Sequence, residues 1–106
     1  TFHRAFDRCT DPLKAIENII TCGFSSVLTS GKANGAAQGI VLLSQLVKDY
    51  GHRIDFIAGG GIRTTNLRHI CQEIPAPWFH SAAITKGTET DKAELLEMIH
   101  ILRQCD

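Results

Sequence analysis

Four times along this chain a short apolar segment is followed by a small or polar loop and then by a helical pattern. The apolar segments fall at residues 1–4, 26–28, 54–58 and 78–80. Such alternation predicts parallel strands joined by helical crossovers, because each helix must return the chain to the same edge of the sheet. The third segment, Ile54, Phe56, Ile57 and Ala58 broken only by Asp55, is nearly continuously apolar, as suits a strand covered on both faces. The repeat is compatible with an open doubly wound sheet or with part of a closed barrel. Four units make half of a (β/α)8 barrel, and periodicity alone does not separate the two.

The helices have readable ends. Asp11 before Pro12 is an N-cap followed by proline at the first helical position, and Gly23 is a left-handed terminator. Leu13, Ile16 and Ile20, with Ile19 beside them, predict the buried face of that helix. The second helix carries Ile40, Leu43, Leu46, Val47 and Tyr50 and stops at Gly51. The third is expected to be capped by Thr64 or Thr65, to bury Leu67 and Ile70, and to close before Pro75. The fourth opens with Asp91 and Glu94 at capping-box spacing, with Leu95, Ile99 and Leu102 as its core stripe, supported by Met98.

The 106 residues suffice for one small domain, read here as a single partial barrel over residues 1–106. Lys plus Arg equals Asp plus Glu at 11 each, so no charge excess draws the chain to nucleic acid or an acidic membrane. No apolar run approaches the roughly 20 residues of a membrane span. The chain opens on Thr1 without an initiator methionine or a signal-like pattern, which suggests a start inside a larger protein. Cys9, Cys22, Cys71 and Cys105 include no CxxC pair. An even count could mean two disulfides, but reduced thiols in a cytoplasmic protein are expected.

In either architecture ligands bind at the carboxyl ends of parallel strands. The unusual loop residues all follow strands: His3, Arg4 and Asp7; Thr29, Ser30 and Gly31; Gly59, Gly60 and Gly61; His80 and Ser81. Three successive glycines permit positive φ and close backbone approach, and the helix after them points N–H groups back at the loop, which suits an anion. They could equally serve only a tight turn. Arg4 can hold a carboxylate or phosphate in bidentate fashion, or pair with Asp7. His3, Asp7 and His80 are the candidates for acid–base work, although no Ser-His-Asp arrangement or carboxylate pair is readable. For a metal, Cys9, His3 and His80 are the weak candidates. Cys9 is the one cysteine on the rim, whereas Cys22, Cys71 and Cys105 read as small buried hydrophobes.

The blocks Thr1-Phe2-His3-Arg4-Ala5-Phe6-Asp7, Val27-Leu28-Thr29-Ser30-Gly31, Gly59-Gly60-Gly61-Ile62 and Phe79-His80-Ser81-Ala82 resemble the CutC family in order and spacing. That resemblance covers about Thr1 to Ala82. It implies a cytoplasmic TIM-like barrel, here its carboxyl-terminal half, associated by name with copper homeostasis, with copper as a possible cofactor. It departs after Ala82, where residues 84–90 lead quickly into the last helix. The first functional expectation is therefore a copper-handling or copper-responsive binding protein. The alternative is a TIM-barrel enzyme acting on a small phosphate- or carboxylate-bearing metabolite. A third reading is a regulatory or inactive fragment. A half barrel leaves open edges and apolar surface, so a homo-oligomer or the missing amino-terminal half is expected to complete it.

Overall fold

The computed structural model describes residues 1–85 and 87–105, so Lys86, in the short connection before the last helix, and Asp106 lie outside the described residues. Three strands, β1 (Ser26–Thr29), β2 (Asp55–Gly59) and β3 (Trp78–His80), form a parallel sheet in the order β1-β2-β3. Helices α1 (Pro12–Thr21), α2 (Ile40–Tyr50), α3 (Thr64–Glu73) and α4 (Lys92–Gln104) follow the four units. This is the parallel α/β architecture of a partial TIM-like barrel. The expected first strand is shorter than residues 1–4. It contributes one parallel bridge, Phe2 to Val27, before the chain coils into a 3-10 turn at Arg4–Arg8. The coil is favoured because His3 Nδ1 accepts the Ala5 N–H at 2.9 Å, a local bond that an extended strand could not make.

The pleat sorts side chains to two faces. Val27, Phe56 and Ala58 are fully buried and share one core with Phe6, Ile16, Leu43, Leu46, Leu67 and Ile70 of the surrounding helices. The other face carries Ser26, Leu28, Asp55, Ile57, Trp78 and His80, none of them buried. Trp78 is 60% exposed. A barrel strand needs cover on both faces, and here one face has helices and the other lies open.

Two helix stripes differ from expectation. In α1 the buried residues are Ile16 and Ile19, while Leu13 is exposed. In α4 they are Met98 and Ile101, while Leu95, Leu96 and Ile99 are exposed. The cause in α4 is its partner: it packs chiefly on α3. Directional ties hold it there. The Glu94 carboxylate accepts from Thr64 N at 2.8 Å, Arg68 donates to Gln104 at 2.6 Å, and Cys71 is bonded to Cys105. Asp11 and Asp91 cap α1 and α4 as expected, accepting from Lys14 N and Glu94 N. The start of α3 is satisfied differently. Arg63 occupies the cap position, with Asn66 Oδ1 accepting from Arg63 N and Glu94 accepting from Thr64 N.

The Cys71–Cys105 disulfide corrects the expectation of four reduced thiols; Cys9 and Cys22 remain free. Their separation of 34 residues hides the pair from any local spacing rule, because it is the docking of α4 on α3 that brings the two Cα atoms within 6.3 Å. In the oxidised protein a thiol titration is expected to count the two free cysteines, and all four after reduction and unfolding. Cys105→Ser is expected to lower stability by about 2–4 kcal/mol, read from denaturant melts. An unchanged melt would show that the bond adds nothing to the native state.

Candidate functional site

At the carboxyl ends of the strands the loops are tied to one another in sequence. Gly31 and Lys32 both take positive φ, +73° and +63°. Around this turn the N–H groups of Ser30 and Lys32 converge on one point, an arrangement that favours an anion. Here the anion is the carboxylate of Asp7. It accepts from Ser30 N at 3.1 Å, Ser30 Oγ at 2.9 Å, Lys32 N at 3.1 Å, Arg4 Nε at 3.0 Å and Thr29 Oγ1 in a short contact. Thr29 and Ser30 are fully buried. Gly31 is obligatory, since any Cβ there would collide with the backbone of Gly39.

Burial alone would raise the Asp7 pKa, but hydrogen bonds from Thr29, Arg4 and Ser30 together outweigh it and hold the carboxyl below its ordinary range. A depressed folded pKa contributes stability above the unfolded value near 3.9 and loses it as pH falls through the folded one. The Ser30 hydroxyl has one proton for two acceptors, Asp7 at 2.9 Å and the Ala33 carbonyl at 2.6 Å, and accepts from Arg4 Nη2 at 2.8 Å. Thr29, Ser30 and Asp7 thus face each other.

The next link is Ala36 N donating to Gly60 O at 2.8 Å, and the one after is Ser81 Oγ donating to Ile62 O at 2.8 Å. Gly60 and Gly61 have φ of +105° and +66°. A Cβ on Gly60 would stand 3.2 Å from Ser30 Cβ and 3.4 Å from Arg4 Cζ, so glycine is needed both for the turn and for the packing.

Two clefts open on this rim. One, of about 240 Å³, is lined by Arg4, Gly60, Gly61, Arg63, His80 and Ser81, with Leu28 below. Among the described residues, the N–H groups of Gly61 and Ile62 donate to no acceptor in the chain, whereas that of Gly60 faces the His80 carbonyl at the end of the β2–β3 ladder. Arg63 uses Nη1 on the Ile62 carbonyl at 2.7 Å, which holds its guanidinium beside that loop. The other cleft, of about 460 Å³, is lined by His3, Arg4, Asp7, Arg8, Lys32 and Asn34, with two alanines. Arg4 belongs to both.

Of the sequence candidates, Arg4, Gly60, Gly61, His80 and Ser81 therefore come together around one cleft, and His3 lies in the neighbouring one. Gly59 is buried within β2, and Thr29, Ser30 and Gly31 build the knot around Asp7 instead of lining either cleft. Cys9 lines a separate apolar groove with Cys22, Phe2 and Phe24. The expected free N-terminus of α3 is occupied by Glu94, so anion donors must come from the glycine loop and the arginines. Arg8, Lys32 and Arg63 were not singled out as ligand-binding residues in the sequence. Their signal was adjacency: Lys32 follows Thr29-Ser30-Gly31, and Arg63 follows the glycines by two positions.

The model of the CutC family matches residues 1–85. The chain belongs to the CutC family. A mouse relative named copper homeostasis protein cutC homolog is 45% identical over 83 residues, covering 78% of this chain and 30% of the relative. A CutC family protein of Glaesserella parasuis is 43% identical over 83 residues, 78% of this chain and 34% of its own. The crystal structure of a CutC protein from Streptococcus agalactiae superposes with a TM-score of 0.67 at 32% identity, over 74% of this chain and 40% of that one. The chain thus spans about a third of the curated CutC relatives, and α4 lies beyond the family match.

Asp7→Asn is expected to destabilise the protein by about 1–3 kcal/mol at neutral pH, because it removes a buried charged acceptor from several donors. The gap between wild type and variant should shrink as the pH drops below about 4, where the wild-type carboxylate is lost too. Denaturant melts across that range check both points, and a pH-independent gap would contradict the assignment.

Proposed function

We propose that this chain carries part of the ligand-binding rim of a copper homeostasis protein, and that its own residues bind a small oxyanion, phosphate or carboxylate. The observation behind this reading is the cleft in which free N–H groups of the glycine loop meet the guanidinium groups of Arg4 and Arg63. Backbone N–H groups and planar guanidinium groups are complementary to oxyanions. A second reading, an enzyme acting on such an anion, is favoured by His80 on the same cleft, where an imidazole could move a proton.

Copper enters through the names of the relatives, which are called copper homeostasis proteins. The residues described here do not fit a closed copper site. Among them no group of three or more His, Cys, Asp or Glu side chains converges, and two of the four cysteines are bonded to each other. Copper-responsive behaviour without a dedicated thiolate cage is the form of the family role these residues support.

No helix among the described residues is long and apolar enough to cross a membrane. We take the setting to be cytoplasmic. The open sheet face and unpaired edges call for a second copy or an amino-terminal half to complete the barrel. Sedimentation is expected to show concentration-dependent association of this chain, and a concentration-independent monomer with a cooperative melt would argue against that.

Calorimetric titration with inorganic phosphate tests the site. Binding is expected to weaken about tenfold in Arg63→Gln, the loss of one charge-assisted contact. Affinity unchanged by Arg63→Gln would remove the cleft from consideration. Competition with a copper(I) chelator should show only modest copper affinity. Tight binding abolished when all four cysteines are changed to serine, in a protein that remains folded, would restore a direct copper role.

A further inference from the structure

The two rim clefts differ from the rest of the molecule in charge. The whole chain is formally neutral, with 11 cationic and 11 acidic side chains. Yet the cleft beside the glycine loop contains Arg4 and Arg63 and no carboxylate. Its neighbour contains Arg4, Arg8 and Lys32 against the single carboxylate of Asp7. That carboxylate is already satisfied by Arg4 and by the N–H and hydroxyl groups of Thr29, Ser30 and Lys32. It has no need of Arg8 or the Lys32 ammonium. Among the described residues neither of those cations is in an ion pair, and neither is Arg63.

Arg4 stands between the two clefts and lines both. Its guanidinium is held rigidly. Nε donates to Asp7 at 3.0 Å, and Nη2 donates to Ser30 Oγ at 2.8 Å and to the Ala33 carbonyl at 3.4 Å. Nη1 donates to no group among the described residues, and the side chain is 43% exposed. An arginine fixed by three acceptors on one side and unspent on the other is pre-organised to serve a ligand. A Cβ on Gly60 would touch Arg4 Cζ, so glycine leaves room beside that guanidinium.

Resting on the small-anion reading above, we infer that the ligand carries two separated anionic groups, one in each cleft, with Arg4 bridging them. The glycine-loop cleft takes one group through the N–H groups of Gly61 and Ile62 and the Arg63 guanidinium. The second cleft takes the other through Arg8 and Lys32. The class is a short metabolite with an oxyanion at each end, a bisphosphate or a phosphate-bearing carboxylate. Joining two anions makes the second contact intramolecular, so the two-ended ligand binds more tightly than either half.

The probes are inorganic phosphate and a series of linear α,ω-alkyl bisphosphates with short, medium and long methylene chains, titrated into the whole chain. The expected result is that one chain length binds at least about tenfold tighter than phosphate, with a steeper loss of affinity as salt is raised. Arg8→Gln combined with Lys32→Gln is expected to erase that advantage, bringing the best bisphosphate back to the affinity of phosphate. Arg63→Gln should weaken both. These variants leave every hydrogen bond of the Asp7 knot in place, because Lys32 contributes to it only through its backbone. Phosphate binding that depends on Arg63, with no bisphosphate any tighter, would overturn the two-ended ligand and leave the single-anion site standing. Failure of phosphate and of every bisphosphate to bind would overturn both. A bisphosphate advantage that survives Arg8→Gln with Lys32→Gln would show that the second cleft is not where the other end sits.

Discussion

The carboxylate of Asp7 organises the rim. It is the point at which the loop of the first unit and the loop after β1 meet, and it accepts from side chains or backbone of Arg4, Thr29, Ser30 and Lys32. Without a fixed negative charge there, the inward-facing N–H groups of Ser30 and Lys32 would have nothing to receive them. With it, the loop is rigid enough for Gly39 to pack backbone to backbone on Gly31, for Ala36 to reach Gly60, and for the glycine loop to be joined in turn to Ser81. A ligand therefore meets a wall of linked loops whose geometry is settled before it arrives, which reduces the ordering cost of binding.

The fold was legible in the sequence where a local rule sufficed. β1, β2 and β3 were expected at 26–28, 54–58 and 78–80, and stand at Ser26–Thr29, Asp55–Gly59 and Trp78–His80, because apolar runs between loop residues have few other options. Asp11-Pro12 and Asp91 marked helix starts through capping chemistry that acts over three residues. What was not legible depended on distant partners. Leu95 and Ile99 fit a core stripe on helical spacing, but which face of α4 is buried depends on α3 being its neighbour. The Cys71–Cys105 pair depends on the same docking.

The site divides along the same line. Strand-end position identified Arg4, Gly60, Gly61, His80 and Ser81, which do share a cleft. It could not distinguish a residue that faces a ligand from one that faces another loop. Thr29 and Ser30 have the chemistry of a binding site and spend it on Asp7, while Glu94, from a helix beyond the family match, occupies the N-terminus of α3 that the sequence left open for an anion. Arg63 and Lys32 carry charge toward the clefts from positions that look like ordinary loop residues. Only the course of the backbone, above all the left-handed residues, decides which groups point where.

The attachment of α4 has a consequence for how this end of the chain can change. Glu94 near its start and Gln104 and Cys105 at its finish are fastened to α3, so the helix has its own anchorage and does not hang from the segment that leads into it. That segment runs over exposed residues such as Gly87, Thr88 and Glu89. Lengthening an exposed connection between fixed ends costs only about 0.6 kcal/mol for each doubling of its length. Evolution can therefore splice residues in or out between β3 and α4 with little effect on the packing beneath. The terminal helix is a docked peg, and the exposed turn around Gly87 to Glu89, pinned at its base where Asp91 N–H and the Thr90 hydroxyl donate to the Ala83 and Ala82 carbonyls, is where selection can adjust the length.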